Sequence, residues 1–171
     1  MRLREYNAQL PLQLRSAMED AMSDTANRTL SGPIVLLGRV LFSIVFLVSS
    51  IDHFDGHDLA YATAAHIPLA KIAVPIAGVM ILVGGLSILF GYRARLGALL
   101  IIIFLIPVTP LMHNFWAVAD PRMHEVHEVN FLKNLAMLGA AFLITQFGAG
   151  PWSLDARRAS SSAAPDANRA V

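Results

Sequence analysis

Six histidines and half of the chain's twelve carboxylates gather in two stretches. His53, His57 and His66 lie with Asp52, Asp55 and Asp58, and His113, His124 and His127 lie with Asp120, Glu125 and Glu128. Imidazoles beside carboxylates can move protons, hydrogen-bond a polar ligand or hold a metal ion. In the second stretch Asp120-Pro121 has the form of an N-cap followed by proline at the first helical position. On a helix beginning there, His124 and His127 stand three residues apart and His124 and Glu128 four, so all three are neighbours. A metal site could draw on His53, His57, His124, His127 and Glu128, but these spacings match no strong metal motif, and none is expected. Loops that leave a membrane are polar in any case, which accounts for part of the concentration.

Polar residues also enter the apolar segments. Beyond the histidines, His127, Asn130, Asn134 and Met137 fall on one helical stripe, with Lys133 beside it. An ammonium and two amides cost a few kcal/mol in lipid, so the polar end of the stripe is expected to face a bundle interior. The alternative for Lys133 is snorkelling to nearby headgroups. Pro107 and Pro110 free the carbonyls of Ile103 and Ile106, bending the segment just before His113 and Asn114. Thr109 can take up one freed carbonyl. The bend either lines a cavity or only improves packing, and Lys133 is expected within one water-bridged contact of His113. Arg39 lies about two turns inside another apolar run, where charge is costly. It either snorkels to a headgroup or pairs with bundle carbonyls or an anionic ligand, because no acid lies within the apolar runs.

The elements that must position these groups are read from composition. Of 171 residues, 56% are apolar and 15% charged, against about 25% charged in a soluble domain. Four runs are each long enough to cross a bilayer, which takes about 20 residues: 33–51, 72–90, 96–112 and 131–147. They lack period-2 alternation, so an all-α, four-helix integral membrane bundle is expected. Nine arginines fall in the N-terminal segment, the second loop and the C-terminal tail, against Arg122 alone in the other two loops, with Lys71 at an edge. That asymmetry predicts both termini inside. Residues 1–32 form a cytoplasmic segment, either a short amphipathic helix after Pro11 or disordered, and residues 157–171 a disordered tail around a domain at 33–156. Small residues Ala73, Ala77, Gly84, Ser87 and Gly91, and Ala136, Gly139 and Ala140, predict close helix contacts. The net charge of +1 leaves no nucleic-acid footprint. The absence of cysteine excludes disulfides and thiolate-held clusters.

Several short pieces, in order, resemble the DoxX family of small four-helix membrane proteins. They are Leu37-Gly38-Arg39, Ser50-Ile51-Asp52, Gly91-Tyr92-Arg93-Ala94-Arg95, His113-Asn114-Phe115-Trp116, Phe131-Leu132-Lys133-Asn134-Leu135-Ala136 and Gly150-Pro151-Trp152-Ser153-Leu154-Asp155. The two histidine-rich stretches depart from the family pattern and draw no support from it. The resemblance, over about residues 36–156, implies shared polar positions at Arg39, Asp52, His113, Asn114, Lys133 and Asn134. It also implies similarity to a subunit of a thiosulfate:quinone oxidoreductase and association with sulfur or oxidative-stress redox systems. The resulting expectation is a multi-pass protein of the bacterial inner membrane, a subunit or anchor of a quinone-linked redox complex, with quinone as its ligand. Its expected partners are the lipid bilayer and either an oxidoreductase subunit or further copies of itself. The alternatives are a small transporter, a lipid- or metabolite-binding bundle, or a purely structural membrane partner.

Overall fold

The structure, a computed structural model, describes residues 11–163, with residues 23–31 described by their helical backbone alone. Expectations for the first ten residues and for 164–171 lie outside the described residues. Among the described residues there are six α-helices, one 3-10 turn and no strand. The helices are α1 (Leu12–Asp52), α2 (His57–Ala64), α3 (Ala70–Phe90), α4 (Ala94–Met112), α5 (Pro121–Phe147) and α6 (Leu154–Ala163), and the turn is Phe115–Ala117.

Three spans are long and apolar enough to cross a membrane: Gly32–Asp52, Ala70–Phe90 and Ala94–Ala117. They match the first three expected runs to within a few residues. Their outward faces are apolar and exposed, as in Leu37, Leu41, Ile44 and Val48 of α1, and Ile72, Ile76, Val79 and Val83 of α3. A soluble protein would bury such stripes, and a bilayer covers them. The expected fourth run lies within α5, whose first half carries too many polar residues for the same criterion.

The long helices pack mainly in chain order, α1 on α3, α3 on α4 and α4 on α5. One core joins all four: Phe46 from α1, Ile81 and Ile88 from α3, Ala98, Ile101, Ile102 and Leu105 from α4, and Ala141 from α5. Gly84 and Gly97 let α3 and α4 touch, since a Cβ on Gly84 would stand 2.9 Å from the Gly97 carbonyl oxygen. The small-residue stripe is therefore confirmed at Gly84. It fails on α5, where Ala136 and Gly139 are exposed and Asn134 and Ala141 face the core.

Two expectations about the ends change. The segment after Pro11 is neither a separate surface helix nor disordered: α1 runs unbroken from Leu12 through Pro33 to Asp52. Residues 157–163, expected to belong to a disordered tail, continue α6 to Ala163. Between α5 and α6, residues 148–153 form a strap with Gly148 and Gly150 at positive φ. Trp152 shares that left-handed conformation at φ +57°, which is uncommon for a bulky residue.

Candidate functional site

The polar groups collect at two opposite ends of the bundle. At the histidine-rich end, Asp120 caps α5 by accepting the Met123 N–H at 2.8 Å, with Pro121 as first helical residue. That start fixes the helical phase. His124 lies edge-on to Phe115 with centroids 5.5 Å apart, and His127 faces His113 at 5.9 Å between ring centroids. His113 ends α4 and is half-buried, and the His127 Nδ1 is buried without a hydrogen-bond partner. One turn before His113, the Thr109 hydroxyl is likewise buried and unpartnered, so it does not take up a carbonyl freed by the prolines.

Lys133 behaves differently from the expectation. Its Nζ donates to Asn130 Oδ1 at 2.8 Å, back along its own helix toward the polar end, and the residue is exposed. This is the snorkelling geometry, and His127, not Lys133, is the ring neighbour of His113. Asn134, one turn deeper than Asn130, is buried, while Asn114 is half-buried before the 3-10 turn, its carbonyl accepting the Ala117 N–H.

The other histidine cluster is separate. His53 Nδ1 lies 2.7 Å from Asp58 Oδ2 and 3.0 Å from the Ser49 carbonyl oxygen, with its ring against Phe104. Gly78 permits this packing, because a Cβ there would stand 2.8 Å from the Cβ of His53. Asp52 is exposed, His57 and His66 are exposed, and among the described residues no three histidine or carboxylate side chains converge to hold a metal ion.

At the arginine-rich end the strap folds over α1. Arg39 is 4% exposed and its Nη2 donates to the Trp152 carbonyl at 2.7 Å. One partner of this charge is thus a main-chain carbonyl of the strap and not of a bundle helix. Its Nε and Nη1 are buried and unpartnered, as is the hydroxyl of Ser43 one turn deeper on α1. Asp155 does not bridge to Arg39: its two carboxylate oxygens accept the N–H groups of Arg93 and Ala94 at 2.8 and 3.0 Å, capping α4. Arg158 hydrogen-bonds Tyr92 and lies over its ring, and these contacts with the charges of Arg158 and Arg93 lower the phenol's pKa from the usual tyrosine value.

The six candidate residues therefore do not form one site. Arg39 stands at one end, and Asp52, His113, Asn114, Lys133 and Asn134 at the other, with Asp52 outside the His113–His127 group. Sequence reasoning missed the Arg39–Trp152 contact, because the acceptor is a main-chain oxygen whose position depends on the strap. It also passed over Ser43, whose only signal is its i, i+4 spacing from Arg39.

The sequence model of the DoxX family matches residues 34–114, from the start of the first span to the histidine end of α4. The chain is 26% identical over 126 residues to the inner membrane protein YphA of Escherichia coli (strain K12), covering 72% of this chain and 89% of that relative. No solved structure matches the chain. The matched segment holds Arg39, Asp52, His113 and Asn114 and all but the outermost few residues of the three membrane spans. Over residues 34–114 the chain is thus similar to the DoxX family, and with its three apolar spans it is a multi-pass inner-membrane protein.

Proposed function

We propose that the chain crosses the membrane four times with both termini inside and serves as the membrane subunit of a quinone-linked redox complex, holding a quinone headgroup where α4 meets α5. The observation carrying this reading is the pair His113 and His127, with the His127 Nδ1 buried and unpartnered and the Thr109 hydroxyl, one turn before His113, likewise unpartnered. A buried polar atom without a partner is costly, and a ligand that hydrogen-bonds would relieve it. Quinone oxygens accept hydrogen bonds, and imidazole N–H groups can donate to them and exchange protons. A bound quinone supplies the electron acceptor, and the histidines of this chain hold and pass protons at their ring nitrogens. With no cysteine to ligate a cluster, the electron donor belongs to a partner oxidoreductase subunit.

The course of α5 supports the fourth crossing. It begins beside Phe115 at the histidine end, and its Gln146 carbonyl accepts from Arg95 at 3.3 Å at the arginine end. Its 27 residues reach about 40 Å, enough to cross the hydrocarbon core. Val129, Leu132, Leu135, Phe142, Leu143 and Phe147 give it an exposed apolar surface over most of that length.

The test is the quinone content of protein purified in mild detergent from quinone-replete membranes. Stoichiometric quinone is expected in the wild type, with strong loss in His127→Leu and retention in His57→Ala. Wild-type protein that carries no quinone and binds none when a short-chain quinone is added would overturn the reading.

A further inference from the structure

At the end opposite the histidines, Arg39 forms part of the wall of an open cleft of about 640 Å³ between α1, the end of α3 and the start of α6. We infer that this cleft binds the phosphate of an acylated phosphoester, an anionic phospholipid of the adjoining leaflet. The inference does not depend on quinone binding.

Three observations carry it. First, the guanidinium is a buried fork with only one of its three nitrogens hydrogen-bonded, to the Trp152 carbonyl, leaving Nε and Nη1 without partners. Guanidinium is always charged at neutral pH and its geometry suits phosphate oxygens. Second, among the described residues no carboxylate pairs with it directly: Asp155 acts on it only through its charge, while both Asp155 oxygens accept backbone N–H groups of Arg93 and Ala94. A second cation, Arg157, lines the same cleft. The N-terminal amides of α6 do not create the site. The Asp155 N–H donates to the Gly91 carbonyl and that of Ala156 to the Ser153 hydroxyl.

Third, the remaining wall is apolar and continues onto the lipid-facing surface. Leu36 of α1 and Leu89 and Phe90 of α3 line the cleft, and Phe90 is more than half exposed. Arg39 lies seven residues, about 10 Å, inside the Gly32 end of its span. A phosphate drawn between Arg39 and Arg157 would thus leave acyl chains running along the Leu36–Phe90 groove. A free phosphate or phosphorylated metabolite shares the anionic chemistry but has nothing to place on that wall.

The experiment is native mass spectrometry of the full chain released from nanodiscs made of phosphatidylglycerol, or of a neutral glycolipid without phosphate, with inorganic phosphate as competitor. Retention of phosphatidylglycerol, none of glycolipid, and no displacement by millimolar phosphate are expected. Arg157→Ala should weaken retention about tenfold, the size of one lost charge-assisted hydrogen bond. Arg39→Met should abolish it. Because Arg39 also ties down the strap, Arg157→Ala, an exposed change, is the decisive variant, and Arg95→Ala is the control for charge at the same end. Equal retention of both lipids, displacement by phosphate, or identical behaviour of Arg157→Ala and Arg95→Ala would each overturn the assignment.

Discussion

Gly91 turns the chain between α3 and α4 at φ +63°, and a Cβ there would collide with Arg39 Nη1 and with the Cβ of Ser153. Two costs therefore attach to an alanine at this position. The left-handed backbone alone costs about 1 kcal/mol for a residue with a Cβ. The collision adds displacement of a buried guanidinium and of the strap it holds. Gly56 separates the two costs, because it is also left-handed at φ +92° while a built Cβ there would meet nothing within 4 Å. Gly91→Ala is therefore expected to lower the melting temperature in detergent clearly more than Gly56→Ala. Equal shifts would mean that Arg39 moves aside freely and that the strap is not tied to it.

At the scale of elements, α5 is set by its ends. Asp120 accepts the Met123 N–H at 2.8 Å, and Gly148 closes the helix by donating its N–H to the Ile144 carbonyl oxygen at 2.8 Å. Asp120→Ala should destabilise by about 1 kcal/mol and Asp120→Asn by much less, since the amide can still accept that bond. Amide exchange over residues 123–127 should rise in the alanine variant, because the first turn carrying His124 and His127 frays. Unchanged exchange would show that packing of the His124 ring on Phe115, not the cap, holds the turn. Both ends of α5 were legible in the sequence, because Asp-Pro and Gly-Ala-Gly-Pro act locally. The first three spans were legible for the same reason: a run of about twenty apolar residues needs no partner to be recognised. Which face of α5 turns inward was legible from the polar stripe of His127, Asn130, Asn134 and Met137, which does lie on the inner side, but not from residue size. Its stripe of Ala136 and Gly139 resembles a packing seam, yet Asn134 and Ala141 occupy the seam and the small residues face out. Along the apolar second half of α5, lipid and neighbour offer similar environments, so size pattern alone does not choose the face. The strap was illegible for a different reason: Arg39 meets a main-chain carbonyl more than a hundred residues away, and no side-chain type marks that acceptor.

For the molecule as a whole, the two ends differ in charge. Arg93, Arg95, Arg157 and Arg158 lie at the strap end, whereas Lys71 and Arg122 are the basic residues flanking the spans at the histidine end. By the positive-inside bias, the proposed topology has the strap end in the cytoplasm. An even number of crossings follows only if α5 traverses the bilayer, and with α5 lying on the surface the strap would have to face the same side as the histidines. The cap that Asp155 places on α4, at the end opposite His113, speaks for the proposed crossing instead. Side-specific labelling decides the matter, and the absence of native cysteine leaves no background. Single cysteines at His57 and Ala119 should react with an impermeant maleimide added outside intact cells, and one at Ala159 only after permeabilisation. All three sites are exposed in the structure, so a failure to label reports sidedness and not burial. Reaction at Ala159 from outside would invert the bundle and place the Arg39 cleft in the outer leaflet. Reaction at all three would leave α5 unable to separate the two ends, and the four-crossing arrangement would fall with it.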